Sequence, residues 1–201
     1  MAEEQLMTRE ETVQLFRHME WADSLIWKSV RTTKAAVGDR AVMERLHHVH
    51  VVQRIYLQMW RGVPDRGREL ATFADLREVH AWAQQYYHDL WAFVEHIDSE
   101  TLSRQVECPW AEDLVKWFGE ARSATVQETI VQVAMHTSHH RGQLCTMIRS
   151  HHGEPPLVDF IGWIWMGKPQ ATWQSLATPE KSGEPRGPNG IVEAVRLSNA
   201  A

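Results

Sequence analysis

Cysteine is scarce in this chain. Its two cysteines, Cys108 and Cys145, supply neither a disulfide framework nor a Cys-x-x-Cys zinc motif. A reducing cytoplasm is therefore the expected compartment. No run approaches 18 apolar residues, so no membrane span is expected. The start, Met1-Ala2-Glu3-Glu4-Gln5, is acidic and has no apolar stretch of the kind a signal peptide needs. Basic clusters are missing too: the formal net charge is −5, and no Lys/Arg run argues for nucleic acid. No internal repeat is evident. At 201 residues the chain has room for one domain with a proper core.

Two residue types are abundant instead, with twelve histidines and ten tryptophans. Ten large aromatic residues imply a bulky core or a lined pocket. Among the histidines, His18, His80, His88, His96, His151 and His152 are scattered and expected mostly at the surface.

Four stretches carry helical periodicity. Thr8-Arg9-Glu10-Glu11 is a capping-box pattern that opens a first helix over about residues 9 to 32. Asp39 is the expected N-cap of a second, over about 40 to 61, which Gly62 and Pro64 stop. The third spans about 74 to 97, with Leu76, Val79, Tyr86, Leu90 and Phe93 on its apolar stripe. Thr125-Val126-Gln127-Glu128 is another capping box, opening a fourth helix that runs to about 151. Gly153 and Pro155-Pro156 end it. Between the third and fourth helices, residues 98 to 124 read as a crossover segment with a short strand or extended loop near 102–108. Trp110, Leu114, Val115, Trp117 and Phe118 suggest a short helix or flap within it. Leu157 to Trp165 reads as a short helical segment. A Pro/Gly-rich tail covers 174–201, leaving 1–173 as the domain. The fold class is all-α, a helical bundle, an architecture that builds metal sites from side chains on facing helices.

The fourth helix carries Val133-Ala134-Met135-His136-Thr137-Ser138-His139-His140-Arg141-Gly142-Gln143-Leu144. His136 and His140 stand four apart, one above the other, on a stripe with Val133, Leu144 and Met147 that is expected to face the core. Two imidazoles so placed can grip one metal ion or can be hydrogen-bonded core histidines. A third ligand comes from Leu46-His47-His48-Val49-His50 on the second helix. His48 shares an apolar stripe with Val52, Ile55 and Met59, which puts it first as the inward ligand. His50 comes second, on a mixed boundary, and His47 lies with Val51, Arg54 and Gln58 on a solvent stripe. A surface position is the default for His47 and His50. Three neutral nitrogen donors leave a coordination position open, as in a catalytic site. A di-iron site would need two Glu-x-x-His motifs; the chain offers Glu44-Arg45-Leu46-His47, and Val133 stands where the second glutamate belongs. Thr137 occupies the glutamate position of His-Glu-x-x-His, which excludes a zincin.

His136-Thr137-Ser138-His139-His140-Arg141-Gly142-Gln143, with Trp21-Ala22-Asp23, Leu46-His47-His48 and Gly153-Glu154-Pro155-Pro156-Leu157-Val158-Asp159-Phe160, resembles the DinB/YfiT-like metalloenzyme family over about residues 10 to 173. The resemblance implies an up-down-down-up four-helix bundle with one long crossover, often a homodimer. It also implies zinc or nickel on three histidines, which fall on His48, His136 and His140. Relatives in that fold include S-transferases and isomerases that use low-molecular-weight thiols, so a small-molecule substrate and an activated thiol or water are implied. This chain departs from the family at Gln53, where many relatives carry aspartate, and at Tyr56, where they carry tryptophan. His139, Arg141 and Gln143 are candidates for supporting the ligands or touching substrate, and Asp159 for orienting a histidine or capping the last segment. The alternative function is a non-catalytic metal-binding bundle of the stress-response kind.

Overall fold

The computed structural model describes residues 7–63, 68–108 and 110–174. The expected tail after residue 174 and the stop at Pro64 lie outside them. The described chain is all-α apart from one two-residue strand pair. Its elements are α1 (Arg9–Thr32), α2 (Lys34–Val37), α3 (Arg40–Trp60), a 3-10 turn (Leu70–Thr72), α4 (Leu76–Val94), α5 (Ser99–Ser103), β1 (Gln105–Val106), α6 (Ala111–Phe118), β2 (Ala124–Thr125), α7 (Val126–Ser150) and α8 (Phe160–Trp165). The four long helices α1, α3, α4 and α7 correspond to the four periodic stretches.

Their starts have local causes. Thr8 Oγ1 accepts from the Glu11 amide at 3.1 Å while Glu11 Oε2 accepts from the Thr8 amide at 2.8 Å. Thr125 and Glu128 make the same reciprocal pair ahead of α7. Asp39 accepts from the amides of Ala41 and Val42, and Asp75 from those of Arg77 and Glu78, so each satisfies donors that the first turn leaves open. The expected crossover segment is less extended than its weak alternation suggests. α5 begins it, capped by Asp98, and β1 pairs antiparallel with β2, Gln105 opposite Thr125.

α7 packs against α3 and α1, and α4 packs against α3 and α1. The core divides into two apolar clusters. One joins Phe16 and Met19 of α1 with Leu57 and Trp60 of α3, Tyr86 and Leu90 of α4, and Ile130 and Val133 of α7. The other joins Ile26, Trp27 and Val30 of α1 with Val42, Leu46 and Val49 of α3, Val79 and Ala83 of α4, and Leu144 and Ile148 of α7. A third, small cluster seats Trp163 of α8 on Trp21 and Ala22 of α1. Trp173 continues along the same side, its indole donating to Glu20 Oε1 at 3.0 Å.

Several tryptophans fill the core as composition suggests: Trp27, Trp60 and Trp163 are fully buried, whereas Trp117 and Trp165 are exposed. Two of the scattered histidines are not at the surface. His18 is buried, with Nε2 2.9 Å from the carbonyl of Val158. His80, 3 % exposed, lies edge-on to Trp27 at 4.9 Å and to Trp173 at 5.5 Å. A T-shaped aromatic contact accommodates an imidazole as well as a phenyl ring, and the sequence alone does not distinguish the two uses.

His80 makes stability depend on acid. Burial, and after it the charge of Arg31, pulls its pKa from the ordinary 6.5 down to about 4. The fold holds the neutral ring, so the unfolded chain binds the proton first. Stability is full above pH 6.5, falls as the pH drops from 6.5 to about 4, and flattens below. The share of His80 is about 3 kcal/mol. Urea midpoints measured from pH 7.5 to pH 4 should fall less steeply in His80→Phe than in the wild type.

Candidate metal centre

His48 of α3 and His136 and His140 of α7 come together at the seam between the two helices, with one ligand atom from each within 4.8 Å of the others. The His48 and His136 Nε2 atoms are 3.3 Å apart, and those of His136 and His140 are 3.0 Å apart. The spacing of four on α7 brings the two α7 rings together edge to face, with centroids 4.3 Å apart, and His48 approaches His140 edge-on at 4.6 Å.

The three residues converge, but His48 and His136 are less buried than the stripes suggest. His48 is exposed, His136 half-buried and His140 buried. The inner face of α3 is Val42, Leu46, Val49, His50, Gln53, Tyr56, Leu57 and Trp60, while Val52, Ile55 and Met59 are only half-buried. On α7 the buried face runs through Val133, Thr137, His140, Arg141, Leu144 and Ile148, so His140 faces inward as its stripe suggests while His136 lies at the edge. The trio therefore sits at the edge of the α3–α7 contact, with His140 on its inner side and His48 on the side open to solvent. His50 is buried rather than superficial, and Arg54, expected on a solvent stripe, is buried against Trp82 and paired with Asp89. Hydrophobicity misplaces these phases because the middle of each inner face is polar.

That polar middle is a continuous hydrogen-bonded belt between the two apolar clusters. Trp27 Nε1 donates to His50 Nε2 at 2.9 Å, which leaves the His50 proton on Nδ1 to donate to Gln53 Oε1 at 2.7 Å. The Gln53 amide donates to Asp23 Oδ2 at 2.8 Å and to Thr137 Oγ1 at 3.2 Å. Tyr87 donates to the same Asp23 oxygen at 2.5 Å, and Arg141 Nη1 lies 3.1 Å from the other one. Sequence reasoning missed this belt. Its only traces in the sequence were Asp23 and Arg141 within the motifs of the family resemblance, and Gln53 as a departure from it. Gln53 serves here as a donor to Asp23; a carboxylate in its place would face that of Asp23.

The remaining candidates separate clearly. Gln143 Oε1 lies 2.7 Å from His140 Nδ1, so it braces a ring of the trio. His139 is exposed and its Nε2 meets the Gln143 amide at 3.0 Å. Arg141 belongs to the belt. Asp159 occupies the N-cap position of α8 without a side-chain cap bond. Arg45, which the sequence reading passed over, places Nη1 3.0 Å from His140 Nδ1.

All three rings stay neutral near neutral pH. Burial, with the neighbouring rings after it, takes His136 down to about 4. Partial burial also lowers His48, followed by the charges of His140 and Arg45. His140 is lowered by burial against the opposing pull of its Gln143 bond, with Arg45 and His139 adding to the decrease. Neutral imidazole is the form that ligates a metal. Two nitrogens bound to one tetrahedral zinc stand about 3.3 Å apart, close to the spacings here. Three neutral Nε2 atoms cannot satisfy one another, because His136 Nε2 has one in-plane position and two neighbours aimed at it. His136 Nδ1 is buried with no hydrogen-bond partner among the described residues. The donor set thus fits a cation that imidazole favours, and the trio can hold a metal ion.

No protein-family model matches the chain, and no curated protein matches it.

Proposed function

We propose that the chain is a divalent-metal-binding protein of the DinB/YfiT-like kind, with zinc or nickel on His48, His136 and His140, and that it is a metal-dependent enzyme acting on a small molecule. The observation that carries the reading is the convergence of three neutral Nε2 atoms from two helices on one point. The up-down-down-up order is supported by which helix halves share a cluster. The first halves of α1 and α7 pack with the second halves of α3 and α4, and the reverse holds in the other cluster. The homodimer and a cytoplasmic setting belong to the same proposal; among the described residues no helix is long and apolar enough to cross a membrane.

When bound, a divalent cation lowers the pKa of a thiol or water that joins it. The chain's own part is to present three neutral donors and to leave the solvent side of the seam open for substrate. Gln143 fixes the His140 ring through Nδ1, and the belt behind Thr137 and Arg141 sets the rotation of α7 that brings His136 and His140 to the flank.

Elemental analysis tests the metal. The wild type should carry close to one zinc or nickel per chain after incubation and dialysis, and His136→Ala should carry none. A wild type that retains no metal under those conditions sinks the reading. A metal-loaded chain that gains thermal stability yet transfers or hydrolyses nothing with thiol substrates would instead be the non-catalytic bundle.

A further inference from the structure

Arg45 stands three residues before His48 on α3, half-buried, and enters no ion pair among the described residues. Its one hydrogen-bond partner among the described residues is His140 Nδ1, at 3.0 Å. That same nitrogen is 2.7 Å from Gln143 Oε1. The two contacts need opposite states of one atom. A bare Nδ1 accepts from the guanidinium and repels the amide oxygen; an Nδ1 that carries the proton donates to Gln143 and turns away Arg45.

Ligation through Nε2 settles the choice. An imidazole that ligates by one ring nitrogen keeps its proton on the other, so His140 then donates from Nδ1 to Gln143. Arg45 loses its acceptor at the moment a divalent charge arrives beside it. The guanidinium cannot shed its own charge. The three ligands are neutral and no carboxylate belongs to the trio. Positive charge is left uncompensated at the open side of the seam, and it includes a planar fork of donors suited to a carboxylate.

Given the metal reading above, we infer that Arg45 is a specificity-determining residue and that the site takes a small carboxylate ligand, its carboxylate on the Arg45 guanidinium and its second donor atom turned toward the histidine trio.

The test uses the full chain loaded with cobalt(II), whose visible absorption reports a change of ligand. Mercaptoacetate and 2-mercaptoethanol are titrated separately; both offer a thiol and only the first a carboxylate. The wild type should bind mercaptoacetate about tenfold or more tightly than 2-mercaptoethanol, the factor a charged hydrogen bond brings. In Arg45→Gln the ratio should fall to about one while cobalt affinity holds or rises, since a repelling cation has gone; Arg45→Lys should keep part of the preference. Cobalt uptake without a carboxylate preference in the wild type overturns this inference alone, as does a preference that survives in Arg45→Gln. A wild type that takes up no cobalt overturns the metal reading and this inference with it.

Discussion

Asp23→Ala should lower the unfolding free energy by about 3–5 kcal/mol, the usual cost of removing one member of a buried ion pair. Asp23 and Arg141 are both buried, 3.1 Å apart, at the centre of the belt. The alanine leaves the guanidinium without its counter-charge, the Tyr87 hydroxyl without its acceptor and the Gln53 amide with Thr137 in place of two acceptors. Arg141 Nε already has no partner among the described residues, so the side chain has little in reserve. Arg141→Met should cost a similar amount through the stranded carboxylate. The double variant Asp23→Ala with Arg141→Met should be closer to the wild type than the sum of the two single losses, because neither charge is then left alone. Chemical denaturation of the four proteins measures this, and strict additivity of the two single losses would refute it.

Gly153→Ala should be nearly as damaging, by about 2–3 kcal/mol, an overpacking cost. A Cβ at Gly153 would stand 2.1 Å from Thr33 Oγ1 and 2.8 Å from Ile148 Cγ2. Neither neighbour is free to move: Ile148 is fully buried, and the Thr33 hydroxyl bonds the Ser29 carbonyl at 2.9 Å. The midpoint of thermal unfolding should drop by roughly 5–10 °C. Thr33→Ala in the same chain should recover part of the loss by removing two of the three clashing atoms. Gly142→Ala is the matching control. Gly142 sits inside α7 with nothing within 4 Å of a built Cβ, so alanine there should stabilise by about 0.5–1 kcal/mol. One substitution in one neighbourhood should thus give opposite signs. If the melting temperatures of Gly153→Ala and Gly142→Ala move together, the packing account of Gly153 is wrong.

The helices were legible in the sequence because their ends are chemical. The capping boxes at Thr8 and Thr125 and the cap at Asp39 are local, and a local signal survives without a fold around it. α2 was missed: four residues between Thr33 and Gly38 are too short for any period to show. Rotation of the helices about their axes was the harder quantity. Phase was inferred from apolar stripes, and the inner faces of α3 and α7 break that rule at His50, Gln53, Arg54, Thr137 and Arg141. Each becomes inward-facing only because a partner on another helix satisfies it, and partnership across 23 to 118 positions of sequence leaves no periodic mark. His136 and His140 were nevertheless paired, because a spacing of four on α7 holds whichever way the helix turns; His48 meets them although its stripe is not the inner face of α3. Arg45 was invisible for the opposite reason: a single arginine on a helix flank reads as solvation until its neighbour across the seam is known.

The rim position of the three histidines also bears on time. An ion gripped by three neutral donors, one of them on an exposed residue, is within reach of water and of competing chelators on its open side. It should be released and replaced far more quickly than an ion walled into a bundle core, and a chelator such as EDTA should strip it without unfolding the chain. Imidazole donors rank divalent ions by the general order of affinity rather than by a fitted cavity. A metal held there would then follow the supply around it, so changing that supply would change the ion.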